Sequence, residues 1–161
     1  MLDYLSLPPI LGIGGLLVAF IIYHIMTRHN HGDGEVKHIG DQIALGAMVF
    51  MHREYKMLIM FAAVLVGCIF VSPLGANTGI AFIVGAVSSA TAGYLGMIAA
   101  TKANVRTAVA AHTHGQAQAL SISFYGGSVM GMCVASLGLV GLGSLYWLFG
   151  GDPHTAHAIH G

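Results

Sequence analysis

The feature that most constrains this chain is a set of four long apolar segments with no Asp, Glu, Lys or Arg in their central regions. They cover about residues 5–27, 57–71, 79–100 and 120–149. A helix needs about 20 apolar residues to cross a bilayer. Only 7% of the 161 residues are charged, whereas a soluble domain carries about 25%. The sequence therefore predicts an all-α membrane protein with four transmembrane helices.

Two of these helices are predicted to continue beyond the bilayer. Residues 36–56 carry an amphipathic stripe of Ile39, Ile43, Ala47 and Phe50, and no Pro separates them from the second apolar segment. Residues 101–111 likewise follow the third segment without a turn residue. The predicted helices are listed by their approximate bounds: 5–27, 36–71, 79–111 and 120–149. One membrane domain covers 1–161, with 150–161 as a tail.

Short breaks separate the later helices. The stretch "SPLGANTG" (72–79) contains the turn formers Pro73, Gly75 and Asn77, and it is too short for anything but a tight reversal. "HTHGQ" (112–116) is the comparable break between the third and fourth helices. The second and third helices are therefore predicted to be antiparallel neighbours.

The basic residues predict the orientation in the membrane. All six fall in two connections: Arg28, Lys37, Arg53 and Lys56 in the first, and Lys102 and Arg106 in the second. Since cytoplasmic loops carry an excess of Lys and Arg, both connections, with their long helix extensions, are expected in the cytoplasm and both termini outside. No basic residue precedes the first apolar segment, which favours a retained anchor over a signal peptide.

Lys102 and Arg106 lie four residues apart and share one helix face. One interpretation is that they anchor the helix at the membrane surface. The other is that they contact a neighbouring part of a larger cytoplasmic assembly.

Small residues recur along the third and fourth helices, which predicts tight helix packing because such residues let backbones approach closely. The third helix has Gly85, Ser89, Gly93, Gly96 and Ala100. The fourth has Gly127, Gly131, Ala135, Gly138 and Gly141.

Chemistry-bearing residues are sparse. Ion-coupled carriers need ionisable groups at membrane depth, so no ion path is expected within this chain alone. His154, His157 and His160 could share a helix face in the tail, and imidazole binds metals, but no Cys or paired carboxylate completes a site. We assign no catalytic, cofactor-binding or metal-binding residue. The zero net charge gives no basic excess, so no nucleic-acid partner is expected.

Three stretches resemble the membrane-bound, ion-translocating pyrophosphatases, in family order. They are "IALGAMVFMHREYK" (43–56), "GAVSSATAGYLGMIAATKANVRTAVAA" (85–111) and "SFYGGSVMGMCVASLGLVGLG" (123–143). The first carries the Arg53-Glu54-Tyr55 element. The second carries Ala-Gly-Tyr and Ala-Asn-Val-Arg-Thr elements, and the third resembles the helix that follows.

The resemblance implies the N-terminal portion of a pump that couples pyrophosphate hydrolysis to proton or sodium transport. Such enzymes are several hundred residues long, and their Asp- and Lys-rich motifs, which hold pyrophosphate and magnesium, lie on later helices. The first four helices belong mainly to an outer ring. The resemblance implies magnesium and a homodimer for the complete enzyme, and location in a prokaryotic cell membrane. The alternative is a free-standing four-helix scaffold subunit derived from the same family, and a metal-handling protein is least favoured.

The acidic residues fit this interpretation. Magnesium-dependent hydrolysis needs several converging carboxylates. The predicted cytoplasmic side offers only Asp33, Glu35, Asp41 and Glu54, and none is assigned a catalytic role. Arg53 and Glu54 are expected to form structural ion pairs near the membrane surface, and this chain alone is expected to be inactive.

Overall fold

The computed structural model describes residues 6–73 and 75–149, and these residues form four helices. They are α1 (Leu7–Thr27), α2 (Gly34–Val71), α3 (Gly75–Thr113) and α4 (Gln116–Phe149). Each is long and apolar enough to cross a membrane, and the described ranges contain no strand. The prediction of an all-α, multi-pass integral membrane protein is confirmed.

The helices are longer than the apolar segments that predicted them. α2 and α3 each continue beyond their apolar part as a single helix, as predicted. However, α3 begins at Gly75 rather than at 79, and α4 begins at Gln116 rather than at 120. Gly75 and Gly115 have φ angles of 81° and 87°, a conformation that glycine adopts without steric cost. These glycines allow the chain to reverse direction over few residues. The observed breaks between helices are therefore shorter than the predicted breaks at 72–79 and 112–116.

α4 is the central helix of the bundle. It packs against both α1 and α3, whereas α2 packs only against α3 among the described helices. Contacts between α2 and α3 run in opposite sequence directions, from Gly40 beside Val105 to Gly79 beside Phe70. This arrangement confirms the predicted antiparallel pair.

Small side chains fill the core between α1, α3 and α4. One cluster contains Ala19, Ala99, Val129 and Cys133, and a second surrounds the fully buried Met26 and Ile122. Because lipid provides no hydrophobic drive between helices, close van der Waals packing of this kind must hold them together. Both cysteines are free, with Cys68 exposed and Cys133 buried.

The small-residue prediction is correct for Gly93 and Gly96 of α3 and Gly141 of α4, and wrong for Gly85 of α3 and for the other predicted α4 glycines. A Cβ placed on Gly96 would lie 2.8 Å from Met130 Cγ, so this glycine permits close approach. Gly127 and Gly131 have no neighbour within 4 Å of such a Cβ. The close contact on α4 comes instead from Gly126, whose added Cβ would lie 2.5 Å from Ala103 Cβ. Both neighbouring helices pack on the Gly126 side, which leaves the adjacent Gly127 side open.

The amphipathic stripe of α2 is also not the face that packs. Ile39, Ile43 and Phe50 are each at least half exposed. α2 contacts α3 through a neighbouring face that includes Gly40 and Tyr55. The sequence identified the helix correctly, but the face that packs on α3 lies beside the predicted stripe and includes Tyr55 and Phe70.

Candidate functional site

The basic end of α3 meets the end of α1 in a polar contact that we call the basic junction (Tyr23, Thr27, His29, Lys102 and Arg106). α1 ends at Thr27, where the last turn of a helix leaves carbonyl oxygens without intrahelical partners. Lys102 and Arg106 lie one turn apart on α3, so both side chains extend toward this end.

Arg106 binds the backbone at the end of α1. Its Nε donates to the His29 carbonyl oxygen at 3.1 Å, and one terminal nitrogen donates to the Thr27 carbonyl oxygen at 3.3 Å. The other terminal nitrogen donates to the Lys102 carbonyl oxygen at 2.9 Å. All three nitrogens of the guanidinium group are therefore engaged within the chain.

Lys102 makes the second contact of the basic junction. Its Nζ donates a 2.7 Å hydrogen bond to the hydroxyl oxygen of Tyr23. Tyr23 packs against both core clusters of α1, α3 and α4, so this bond connects the polar end of the bundle to its apolar interior.

These contacts give the basic junction a structural role. Basic side chains near a helix C-terminus bind its last carbonyls and interact favourably with the helix dipole. The sequence had suggested membrane anchoring or contact with a larger assembly, and the structure places both side chains on α1 of the same chain. The polar residues at the end of α1 could have indicated this contact in the sequence. However, they lie 77–79 residues from Lys102 and Arg106, and sequence patterns do not show which distant segments meet.

A second polar contact joins α2 to α3. The Tyr55 hydroxyl donates to the Ala90 carbonyl oxygen and lies 3.1 Å from where a Cβ on Gly93 would stand. Gly93 therefore makes room for Tyr55, as its place in the α3 stripe predicted in general terms.

The acidic residues of the described ranges form no cluster of three or more. Asp33, Glu35, Asp41 and Glu54 are all exposed, and the described residues contain no group of three or more His, Cys, Asp or Glu that could hold a metal ion. No ion pair joins Arg53 and Glu54 to other described residues. His154, His157 and His160 lie outside the described residues. The assignment of no catalytic, cofactor or metal residues stays a prediction.

The sequence matches the family model described as inorganic H+ pyrophosphatase over residues 13–161. The chain belongs to this family of membrane-bound pyrophosphatases. The family predicted from the three sequence stretches is therefore confirmed.

Relatives in the pyrophosphatase family include pumps for both ions. The chain is 43% identical to a putative K(+)-stimulated pyrophosphate-energized sodium pump of Clostridium tetani, over 88% of this chain and 21% of the relative. It is 35% identical to a K(+)-insensitive pyrophosphate-energized proton pump of Moorella thermoacetica, over 96% of this chain and 23% of the relative. This pyrophosphatase-family chain thus spans about a fifth of the length of these relatives.

Proposed function

We propose that this chain is the N-terminal four-helix portion of a pyrophosphate-energised proton or sodium pump. In this proposal it supplies structural outer helices, and the groups that bind pyrophosphate and magnesium lie on helices that follow. Membership of the family supports the reaction class, and a structural role for this portion is consistent with the described residues, which contain no group of three or more side chains that could hold a metal ion.

The open face of α4 is the observation that carries the proposal. Small and apolar side chains recur there on one side of the helix: Phe124, Gly127, Gly131, Gly138 and Leu142. The opposite side, including Gly126 and Cys133, is buried against α1 and α3. A face of small residues in a membrane helix favours a further helix as its neighbour. We propose that the helices following α4 in the longer relatives pack here.

The remaining features of the proposed pump are those that the resemblance to the family implies. Magnesium would be held by carboxylates outside this chain, since hard cations need several converging oxygen ligands. The complete pump is proposed to be a homodimer in a prokaryotic cell membrane. Its coupling ion is a proton or sodium, as the names of the relatives state for those proteins.

A chimera tests the proposal directly. The corresponding helices of the Clostridium tetani relative would be replaced by this chain, joined after Gly151 to the rest of that protein. We expect membrane vesicles with the chimera to hydrolyse pyrophosphate, and the same Clostridium tetani remainder without these helices to be inactive. A correctly inserted chimera with no hydrolysis would instead favour the free-standing scaffold.

The open face of α4 provides a matched variant. Gly131→Leu should reduce the activity of the chimera, because the new side chain would separate α4 from the following helices. The same substitution should leave the fold of the isolated chain unchanged, since Gly131 has open space around it. Full activity of the Gly131→Leu chimera would contradict packing at this face.

A further inference from the structure

A groove between α2 and α3 lies apart from the basic junction and from the open face of α4. It has a volume of about 650 Å³, and its lining includes Met51, Tyr55 and Ile59 of α2 and Tyr94 of α3. Tyr55 is fixed there by its hydrogen bond to Ala90. Its walls are mostly apolar, so the groove suits a flexible hydrocarbon chain.

Two polar side chains of α2 also line this groove. His52 and Lys56 are four residues apart, and both are exposed. Neither forms a hydrogen bond or an ion pair with another residue of the described part of the chain. The groove therefore combines an apolar wall with an unpaired ammonium group.

The position of Lys56 along α2 places this ammonium group near the edge of the hydrocarbon core. Lys56 is the last charged residue before the apolar run that ends at Val71. These fifteen residues extend about 22 Å at 1.5 Å per residue, which is less than the hydrocarbon thickness of about 30 Å. A lysine at this depth extends its head group toward the interface, and a charge removed from water needs a partner of opposite sign.

We infer that the α2–α3 groove binds one anionic phospholipid, with its phosphate on Lys56 and His52 and an acyl chain along Ile59 and Tyr94. The unpaired ammonium complements the phosphate charge, and the apolar wall continues from it toward the membrane interior. The imidazole and ammonium groups needed for this contact both belong to the chain itself, so the inference does not depend on the proposed pump function.

Native mass spectrometry of the full chain in mild detergent tests this site. The probes are dioleoyl phosphatidylglycerol and dioleoyl phosphatidylcholine, which share acyl chains and differ in net charge. One lysine near a membrane surface favours anionic lipid by about fivefold. We expect about this preference for phosphatidylglycerol in the first bound lipid, and its reduction to near one in Lys56→Gln.

Arg53→Gln is the matched control, because Arg53 is an exposed cation on the same helix that does not line the groove. It should keep the preference. An equal loss in Arg53→Gln would show general surface attraction and overturn the site. An unchanged preference in Lys56→Gln would also overturn it. Equal binding of both lipids by the unsubstituted chain would overturn it as well, and would favour a neighbouring protein segment as the occupant of the groove.

Two further measurements separate a lipid from a simple anion. Ile59→Asn should weaken binding of phosphatidylglycerol several-fold while leaving the ammonium in place. Inorganic phosphate at a large excess should not displace the lipid, and displacement would reduce the groove to an anion site and overturn the lipid assignment. Unchanged helical circular dichroism in each variant ensures that the comparison concerns binding rather than folding.

Discussion

Gly126 and Gly127 differ by one position on α4 and have opposite environments. An added Cβ at Gly126 meets Ala103, whereas Gly127 has nothing within 4 Å. Neighbouring helix positions point about 100° apart, so a sequence with glycine at both cannot show which side faces the bundle. That choice depends on where α1 and α3 dock. The sequence therefore predicted tight packing correctly but, of its α4 glycines, only Gly141 lies at a close contact.

The two faces of α4 give the first prediction. Gly126→Leu should destabilise the isolated chain by about 1–3 kcal/mol, because overpacking forces neighbouring backbones apart. Gly131→Leu, which adds the same side chain on the open face, should have little effect. Equilibrium unfolding in dodecyl sulfate, followed by circular dichroism, measures both. Equal stability of the two variants would contradict the packing described for α4.

A second prediction concerns the stability that Arg106 contributes. Arg106→Gln should destabilise the chain by about 1–2 kcal/mol, because carbonyl oxygens of Thr27 and His29 lose a charged donor. Lys37→Gln is the control, since Lys37 is exposed and forms no ion pair with a described residue. The same unfolding assay applies, and a loss no larger than that of Lys37→Gln would show that the basic junction contributes nothing.

Among the helices, the existence of each one was predictable from the sequence, but the residues at which α3 and α4 begin were not. Hydropathy marks the part of a helix that faces lipid, and the first turns of α3 contain "GANT", which is not strongly apolar. The sequence pattern predicted Gly75 within a loop, whereas the structure shows that α3 begins at this residue. A glycine with positive φ next to a helix end is consistent with either arrangement until the helix is seen.

α2 is the element with the fewest neighbours, so its contact with α3 should depend on individual bonds. Tyr55→Phe removes the hydrogen bond to Ala90, and interhelical hydrogen bonds in membranes contribute about 0.6 kcal/mol on average. We expect a loss of this size in the unfolding assay. Tyr146→Phe, at an exposed position of α4, should change nothing, and an equal effect of the two would argue against the Tyr55 bond.

In the whole molecule, four of the basic residues lie at the end where α1 finishes and α2 begins, namely Arg28, Lys37, Lys102 and Arg106, whereas Arg53 and Lys56 lie further along α2. The basic junction brings the start of the α1–α2 connection next to the end of α3, and Gly40 of α2 lies beside Val105. The turn that joins α2 to α3 lies at the opposite end. The sequence predicted this grouping from charge alone, because the positive-inside rule does not require knowledge of packing.

The proposed orientation can be measured by cysteine labelling in intact cells. In a background of Cys68→Ala and Cys133→Ala, an impermeant reagent should label Asn77→Cys and spare Asn30→Cys until the membrane is permeabilised. Labelling of Asn30→Cys from the outside, with protection of Asn77→Cys, would reverse the orientation.

The family was predictable from three ordered stretches, because short sequence elements such as Arg53-Glu54-Tyr55 occur in them in family order. The basic junction was not predictable, because its partners come from segments far apart in sequence and meet only after α1 and α3 dock on α4. The α2–α3 groove was hidden for a similar reason, since Tyr94 and Lys56 belong to different helices.

In the proposed function, these four helices support a pump whose reacting groups lie on other helices. Magnesium-dependent phosphate release from pyrophosphate, measured with the purified chain in lipid vesicles, tests it most directly. We predict release equal to that of empty vesicles, because the described acidic side chains form no cluster that could hold magnesium and no charged residue lies centrally in an apolar segment. We also predict activity when the helices that follow are supplied as a fusion after Gly151. Hydrolysis by the chain alone above the empty-vesicle control would contradict this prediction and place a catalytic site among these 161 residues.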